Sequence, residues 1–287
     1  MIQSSKDIGR WLQNGVGSVM EKNEKAIAEV CGLLEKSRRV VVLTGAGVSA
    51  ESGIPTFRDA QTGLWARYRA EDLATAEAFR RDPRTVWSWY AWRRSLVASV
   101  KPNRGHYAIA QLETRVPEFT LVTQNVDGLH RVGGSKNVVE IHGNILRVRC
   151  FENCVSYTVG DSSKEARSVF EWDEAVGAGA ARDSLIPVVP RCPVCGDYLR
   201  PDVVWFGENL SEAAIEAAFG AAEKADLLLS VGTSSVVYPA AMLPEIAAQA
   251  GAKVVEINLD ETPLSSEATV SIRGPAGEVL PRILDGM

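Results

Sequence analysis

Four of the five cysteines fall in two short pairs, Cys150/Cys154 and Cys192/Cys195, with three and two residues between partners. Thiolates at such spacings can meet one zinc ion tetrahedrally, each about 2.3 Å from the metal. The quartet holds no histidine or carboxylate that would leave an open position, so the zinc would be structural. Two disulfides are the rival reading, and they would require an oxidising compartment. Cys31 is left over, on the apolar face of a helical stretch, and reads as a buried thiol. The three histidines are the natural proton acceptors near neutrality. His106 opens a helical stretch, His130 ends the run QNVDGLH, and His142 precedes Gly143-Asn144 after an apolar approach. Spacing by itself makes none of them catalytic. The segment Thr44–Asp59, TGAGVSAESGIPTFRD, sets small residues directly after a short apolar run. Gly45, Ala46, Gly47 and Ser49 would let backbone N–H groups approach a pyrophosphate. The pattern is not GxGxxG, because Ala50 takes the third glycine position. Beyond it, Phe57 could shield a reactive sugar carbon or simply pack in the core, and Arg58 could pair with phosphate. Tyr90 and Arg93 lie three apart, on one face of a helical stretch, where a phenol and a guanidinium can form a fork for a carboxylate.

These groups need a scaffold. Val40–Leu43 is a short continuous apolar run, and similar, mostly apolar runs recur at Phe119–Thr123, Asp226–Val231 and Lys253–Asn258. Such runs, bounded by turn signals, read as parallel strands buried on both faces. Helical stretches at Glu24–Lys36, Ser211–Lys224 and Pro239–Ala250 alternate with them. The pattern predicts an α/β fold with a doubly wound, Rossmann-like parallel sheet whose ligand lies at the carboxyl ends of the strands. The loops beginning at Thr44, Thr123, Gly232 and Asn258 should then converge on one crevice. Residues 37–146 and 200–287 make this domain, 147–199 a small inserted zinc-ribbon module, and 1–36 an N-terminal helical extension. A second, helical insertion rich in aromatics and arginine spans about 61–101. Ala175–Ala181 (AVGAGAA) reads as a loop of the zinc module.

Thr44–Asp59 and QNVDGLH, with Ile141-His142-Gly143-Asn144, resemble the sirtuin family of NAD-dependent protein deacylases. The resemblance continues through Val204-Trp205-Phe206-Gly207-Glu208, Gly232-Thr233-Ser234 and Asn258-Leu259-Asp260, and runs from about Val40 to about Ile283. It implies NAD as co-substrate and a structural zinc. It implies His142 as general base, removing a ribose proton after the substrate amide oxygen has displaced nicotinamide. The products would be free lysine, nicotinamide and O-acyl-ADP-ribose. Gln124, Asn125 and Asp127 would hold the nicotinamide ribose and carboxamide, and Val126 falls to the cofactor with them. Gly232, Thr233 and Ser234 would meet phosphate and ribose, and Asn258 the adenosine ribose. Leu259, Asp260 and Ala276 also fall to the cofactor. Val204, Phe206, Gly207 and Glu208 resemble the segment that pairs with the substrate backbone as an added strand. Tyr90 and Arg93, with small Ala74, resemble the class III acyl pocket and imply succinyl-, malonyl- or glutaryl-lysine in protein substrates, with acetyl-lysine used less well.

A net charge of −5 gives no bulk attraction to nucleic acid or anionic membrane. The arginines Arg80, Arg81, Arg84, Arg93 and Arg94 read as a solvated helix face around the pocket and not as a nucleic-acid patch. No apolar stretch is long enough to span a bilayer, and no signal peptide is read, so a cytoplasmic enzyme is expected; a mitochondrial or nuclear location stays open. Ile8, Trp11, Leu12, Val16, Val19 and Met20 have helical spacing, as a surface helix or a weak targeting helix. Nothing in the sequence sets an oligomeric state. A mono-ADP-ribosyltransferase or NAD glycohydrolase on the same scaffold is the alternative activity, and a non-catalytic NAD or acyl-lysine sensor a further one.

Overall fold

The computed structural model describes residues 22–55, 68–152, 154, 169–171 and 188–287. Residues 1–21, the segment Ala175–Ala181, and both Phe57 and Arg58 lie outside the described residues. In chain order the elements are α1 (22–36), β1 (Arg39–Thr44), α2 (Gly47–Ala50), α3 (Ala70–Leu73), α4 (Ala76–Arg81), α5 (Pro83–Ala98), α6 (Arg104–Arg115) and β2 (Glu118–Thr123). Then come α7 (Leu129–Val132), β3 (Val138–Glu140), β4 (Gly143–Cys150), β5 (Val169–Glu171) and β6 (Leu199–Val203). The chain ends with α8 (Glu212–Lys224), β7 (Leu227–Val231), α9 (Leu243–Gln249), β8 (Lys253–Asn258), β9 (Val270–Arg273) and α10 (Ala276–Asp285).

Six strands form a parallel sheet in the order β3-β2-β1-β7-β8-β9. The strands are apolar at successive positions because both faces are covered. Val40 and Val42 enter one core, with Ile27, Val30 and Leu34 of α1, Ile109 of α6 and Ile283 of α10. Val41 and Leu43 enter the other, with Ala218 and Ala222 of α8 and Leu243 of α9. The strand order reverses between β1 and β7, so the crevice of a doubly wound sheet opens there, at the carboxyl ends.

A second, antiparallel sheet has the order β5-β4-β6. It begins at Gly143 and ends at Val203, so it extends past residues 147–199 on both sides. The aromatic-rich helices pack directly on it. Phe79, Trp87, Trp89 and Tyr90 share a core with Ile145 and Val148 of β4 and Leu199 of β6. Trp87 donates its indole N–H to the Leu199 carbonyl at 2.6 Å. Asp82 caps α5, accepting from the Thr85 amide at 3.1 Å, and Pro83 starts that helix. Arg80, Arg81 and Arg84 are exposed, but Arg93 and Arg94 are half-buried, so the expected solvated face takes in three of the five arginines. Among the described residues no helix is long and apolar enough to cross a membrane.

Candidate active site

The loops after β1 and β7 cross at the reversal point in closest contact. A Cβ placed on Gly45 would lie 2.8 Å from the Gly232 carbonyl oxygen, and one on Gly47 2.8 Å from the Gly232 Cα. Gly232 itself has φ +60°, and its Cβ would meet the Val48 nitrogen at 2.6 Å. Only glycine fits at this crossing. The two loops are tied by Gly45 N–H to Val231 O (3.1 Å) and Gly47 N–H to Gly232 O (2.9 Å). Asn258, at the end of β8, donates its amide to the Thr233 carbonyl at 2.7 Å and accepts from the Leu259 amide at 2.9 Å. Thr233 is buried, whereas Ala46, Ser234, Leu259 and Asp260 are exposed at the rim, and Ala276 starts α10 nearby in the fold. The four loops thus meet at one crevice. Its glycine cradle suits a dinucleotide whose pyrophosphate must approach the backbone.

Beside it lies a buried polar network. Ser49 Oγ donates to Asp127 Oδ2 at 2.8 Å and accepts from the Asn125 amide at 3.0 Å. Asn125 also donates to the Gly45 carbonyl at 3.0 Å, which ties the loop after β2 to the loop after β1. Asp127 Oδ1 accepts from the Leu129 amide at 2.9 Å. Burial raises the Asp127 pKa, against these two hydrogen bonds. His106 Nε2 lies 3.3 Å from Ser49 Oγ, and His106 Nδ1 accepts the Asn103 amide at 3.3 Å. The proton therefore sits on Nε2, and the imidazole donates to Ser49.

His142 stands at the junction of the two sheets. Its Nδ1 is 3.0 Å from the Gln124 carbonyl, which can only accept, so Nδ1 carries the proton and Nε2 keeps a free lone pair. Burial lowers its pKa, with the Gln124 hydrogen bond opposing. The imidazole is thus a neutral acceptor at pH 7. Its own carbonyl accepts from the Val204 amide at 2.9 Å, joining it to the segment after β6.

That segment is held on every side. Phe206 N–H donates to the Ala74 carbonyl (2.9 Å), Trp205 N–H to Glu208 Oε2 (2.8 Å), and Glu208 N–H to the Trp205 carbonyl (3.0 Å). Glu208 is occupied by Arg200 and Arg149, so its carboxylate braces the segment from within. Phe206 is exposed. Tyr90 is buried, with Trp205 Nε1 donating to its hydroxyl at 2.9 Å. Arg93, half-buried on the next turn, has its guanidinium 5.3 Å from the Trp89 ring, and its charge acts on the Tyr90 phenol. Ala74 is buried and gives its carbonyl to Phe206, so it lies where the turn between α3 and α4 meets the segment after β6.

The sulfurs of Cys150, Cys154, Cys192 and Cys195 all lie within 4.8 Å of one another. Cys150–Cys195 and Cys154–Cys192 are each 3.5 Å apart. A tetrahedral zinc places its sulfurs about 3.8 Å apart, so the quartet fits structural zinc and has no open position. Cys31 is buried and donates to the Ile283 carbonyl at 3.4 Å.

A model of the Sir2 family matches residues 45–239. The chain belongs to the Sir2 family. The NAD-dependent protein deacylase of Thermococcus kodakarensis is 50% identical over 252 residues, covering 88% of this chain and 92% of that one. A solved Sir2 homolog–NAD complex has TM-score 0.76 and 45% identity, covering 90% of this chain and 93% of that one. A solved Sir2 bound to acetylated peptide has TM-score 0.72 and 31% identity, covering 90% and 96%.

Within this Sir2 fold, sequence reading gave His106 only a structural place. Its partners Ser49 and Asn103 lie 57 and 3 residues away, and only the fold brings Ser49 to it. His106 and His130 are in contact, ring centroids 4.8 Å apart and planes tilted by 53°, and burial pushes their pKa values down to about 4 and about 3. A histidine with a lowered folded pKa leaves the unfolded chain to bind protons first. The stability it carries is complete above about pH 6.5 and is lost as pH falls toward the folded value. At pH 5 each histidine should cost roughly 2 kcal/mol; the raised Asp127 carboxyl works in the opposite sense, one group against two. The urea midpoint is expected to be lower at pH 5.0 than at pH 7.5. An equal or higher midpoint at pH 5.0 would contradict this reading of the buried pair.

Proposed function

We propose that the chain is an NAD-dependent protein-lysine deacylase that favours acyl groups ending in a carboxylate, succinyl, malonyl or glutaryl, over acetyl. The observation that carries the reaction type is His142. Its Nδ1–H is fixed on Gln124, and it sits between the dinucleotide crevice and the segment Val204–Glu208. NAD, when bound, supplies an anomeric carbon from which nicotinamide departs. The chain's own residues do the rest. Gly45, Gly47 and Gly232 let backbone approach the pyrophosphate. Asn125, Asp127 and Ser49 form the polar wall beside them. His142 Nε2 takes a proton from the sugar hydroxyl that must become nucleophilic, and a neutral imidazole suits that task. The carbonyls of Val204–Gly207 meet the substrate main chain. The products are free lysine, nicotinamide and O-acyl-ADP-ribose, and zinc acts only through the fold.

The acyl preference rests on Tyr90 and Arg93, one turn apart on α5 and both able to donate; Tyr90 shares its core with Ala74. Acetyl-lysine offers Arg93 no carboxylate. Arg93→Met is expected to lower the ratio of kcat/KM for succinyl- over acetyl-lysine peptide by roughly tenfold to a hundredfold, the worth of a charged hydrogen bond. Steady-state kinetics on the two peptides measures it, and an unchanged ratio would rule out the carboxylate reading.

A further inference from the structure

We infer that Trp205 is a positioning residue for acyl selectivity, acting through the hydroxyl of Tyr90. The inference rests on the carboxylate-reading role proposed above for Tyr90 and Arg93. Trp205 Nε1 lies 2.9 Å from the Tyr90 oxygen, and the contact is buried. An indole N–H only donates, so the phenol oxygen accepts here and keeps its own proton to give elsewhere. Burial raises the phenol's pKa, so that proton stays bound. Among the described residues no acceptor takes it. Arg93, one helical turn on, is also a pure donor. A phenol that donates, one turn from the Arg93 guanidinium whose charge acts on it, suits a ligand with acceptor oxygens. A phenol free to turn would instead offer a lone pair to the substrate and repel a carboxylate. Trp205 therefore sets the polarity of Tyr90.

The indole is itself fixed. The Arg200 guanidinium lies 3.3 Å from the centre of its ring, and the Phe79 ring packs at 5.3 Å. The Trp205 amide is bonded to Glu208, which Arg200 also holds. Arg200 is only 2% exposed, so this brace is not free to swing into solvent. Val204 and Phe206 flank Trp205 in the segment assigned to the substrate main chain. One short stretch thus links the peptide backbone to the group that reads the far end of the acyl chain.

The test is the ratio of kcat/KM for succinyl- over acetyl-lysine peptide in wild type, Trp205→Phe, Tyr90→Phe and the double variant. Phenylalanine keeps an aromatic ring in the core and deletes the N–H. Taking the ratio on one preparation cancels any loss of folded enzyme. The ratio is expected to fall roughly tenfold in Trp205→Phe, the fold-change of one hydrogen bond. The double variant should show the ratio of Tyr90→Phe alone, because both substitutions remove one interaction. An unchanged ratio in Trp205→Phe, or losses that multiply in the double variant, overturns the role of Trp205 and leaves the carboxylate reading standing. A wild type that does not favour succinyl-lysine overturns both, and does so before any substitution is made.

Discussion

His142→Ala is expected to lower kcat/KM for NAD-dependent deacylation by roughly a hundredfold to ten-thousandfold, the usual worth of a general base. The substitution removes the imidazole and leaves the His142 carbonyl bonded to the Val204 amide, so the substrate segment keeps its anchor. What is lost structurally is one hydrogen bond to the Gln124 carbonyl, about 1 kcal/mol. Zinc content should be unchanged, and the urea midpoint should fall only slightly. Steady-state assay with acyl-lysine peptide, metal analysis and an unfolding curve on the same preparation check all three. Activity within tenfold of wild type would show that the ribose proton goes elsewhere. His106 is the nearest rival in kind, but its Nδ1 already accepts the Asn103 amide and its Nε2 donates to Ser49, so it holds no free lone pair.

Cys192→Ser is expected to remove zinc and, with it, deacylation, while the parallel sheet survives. Structural zinc in small modules is worth about 10–16 kcal/mol, far more than the three-stranded sheet can supply alone. Cys192 is joined through its amide to the Asp197 carbonyl at 2.6 Å, in the turn that leads into β6. Loss of the metal would free that turn, and with it β6 and Arg200. Arg200 braces Glu208 and Trp205, so the substrate segment would lose its frame. The dinucleotide crevice is built from β1, β7 and β8 and contains none of these residues. Zinc below one tenth of an equivalent, lost turnover and a retained far-UV spectrum are the expected set. Full turnover without zinc would contradict the structural role.

The four central strands were legible because a strand covered on both faces is apolar at most positions. The edge strands β3 and β9 were not, being short and mixed in composition. Strands β4 (GNILRVRC) and β6 (LRPDV) hid behind their charges. Arg147 meets Asp202 of the neighbouring strand at 3.1 Å, and Arg149 meets Glu208, past the end of β6, at 3.4 Å. Such compensation is invisible until the register is known. For the same reason the inserted module reads from the sequence as beginning at residue 147, while its sheet begins at Gly143. Within the site, the glycine turn, the cysteine spacing and the Tyr90/Arg93 helical face are local patterns and could be read directly. The Ser49–His106 contact and the Trp205–Tyr90 bond join residues 57 and 115 positions apart, and no local pattern announces either.

The central claim is that this chain couples NAD cleavage to removal of an acyl group from lysine. Mass spectrometry of the products formed from NAD and a succinyl-lysine peptide tests it most directly. The account predicts unmodified lysine peptide, nicotinamide and one equivalent of O-succinyl-ADP-ribose. Nicotinamide release that leaves the peptide acylated, or that adds ADP-ribose to it, would contradict the claim and assign the crevice to NAD hydrolysis or ADP-ribosyl transfer.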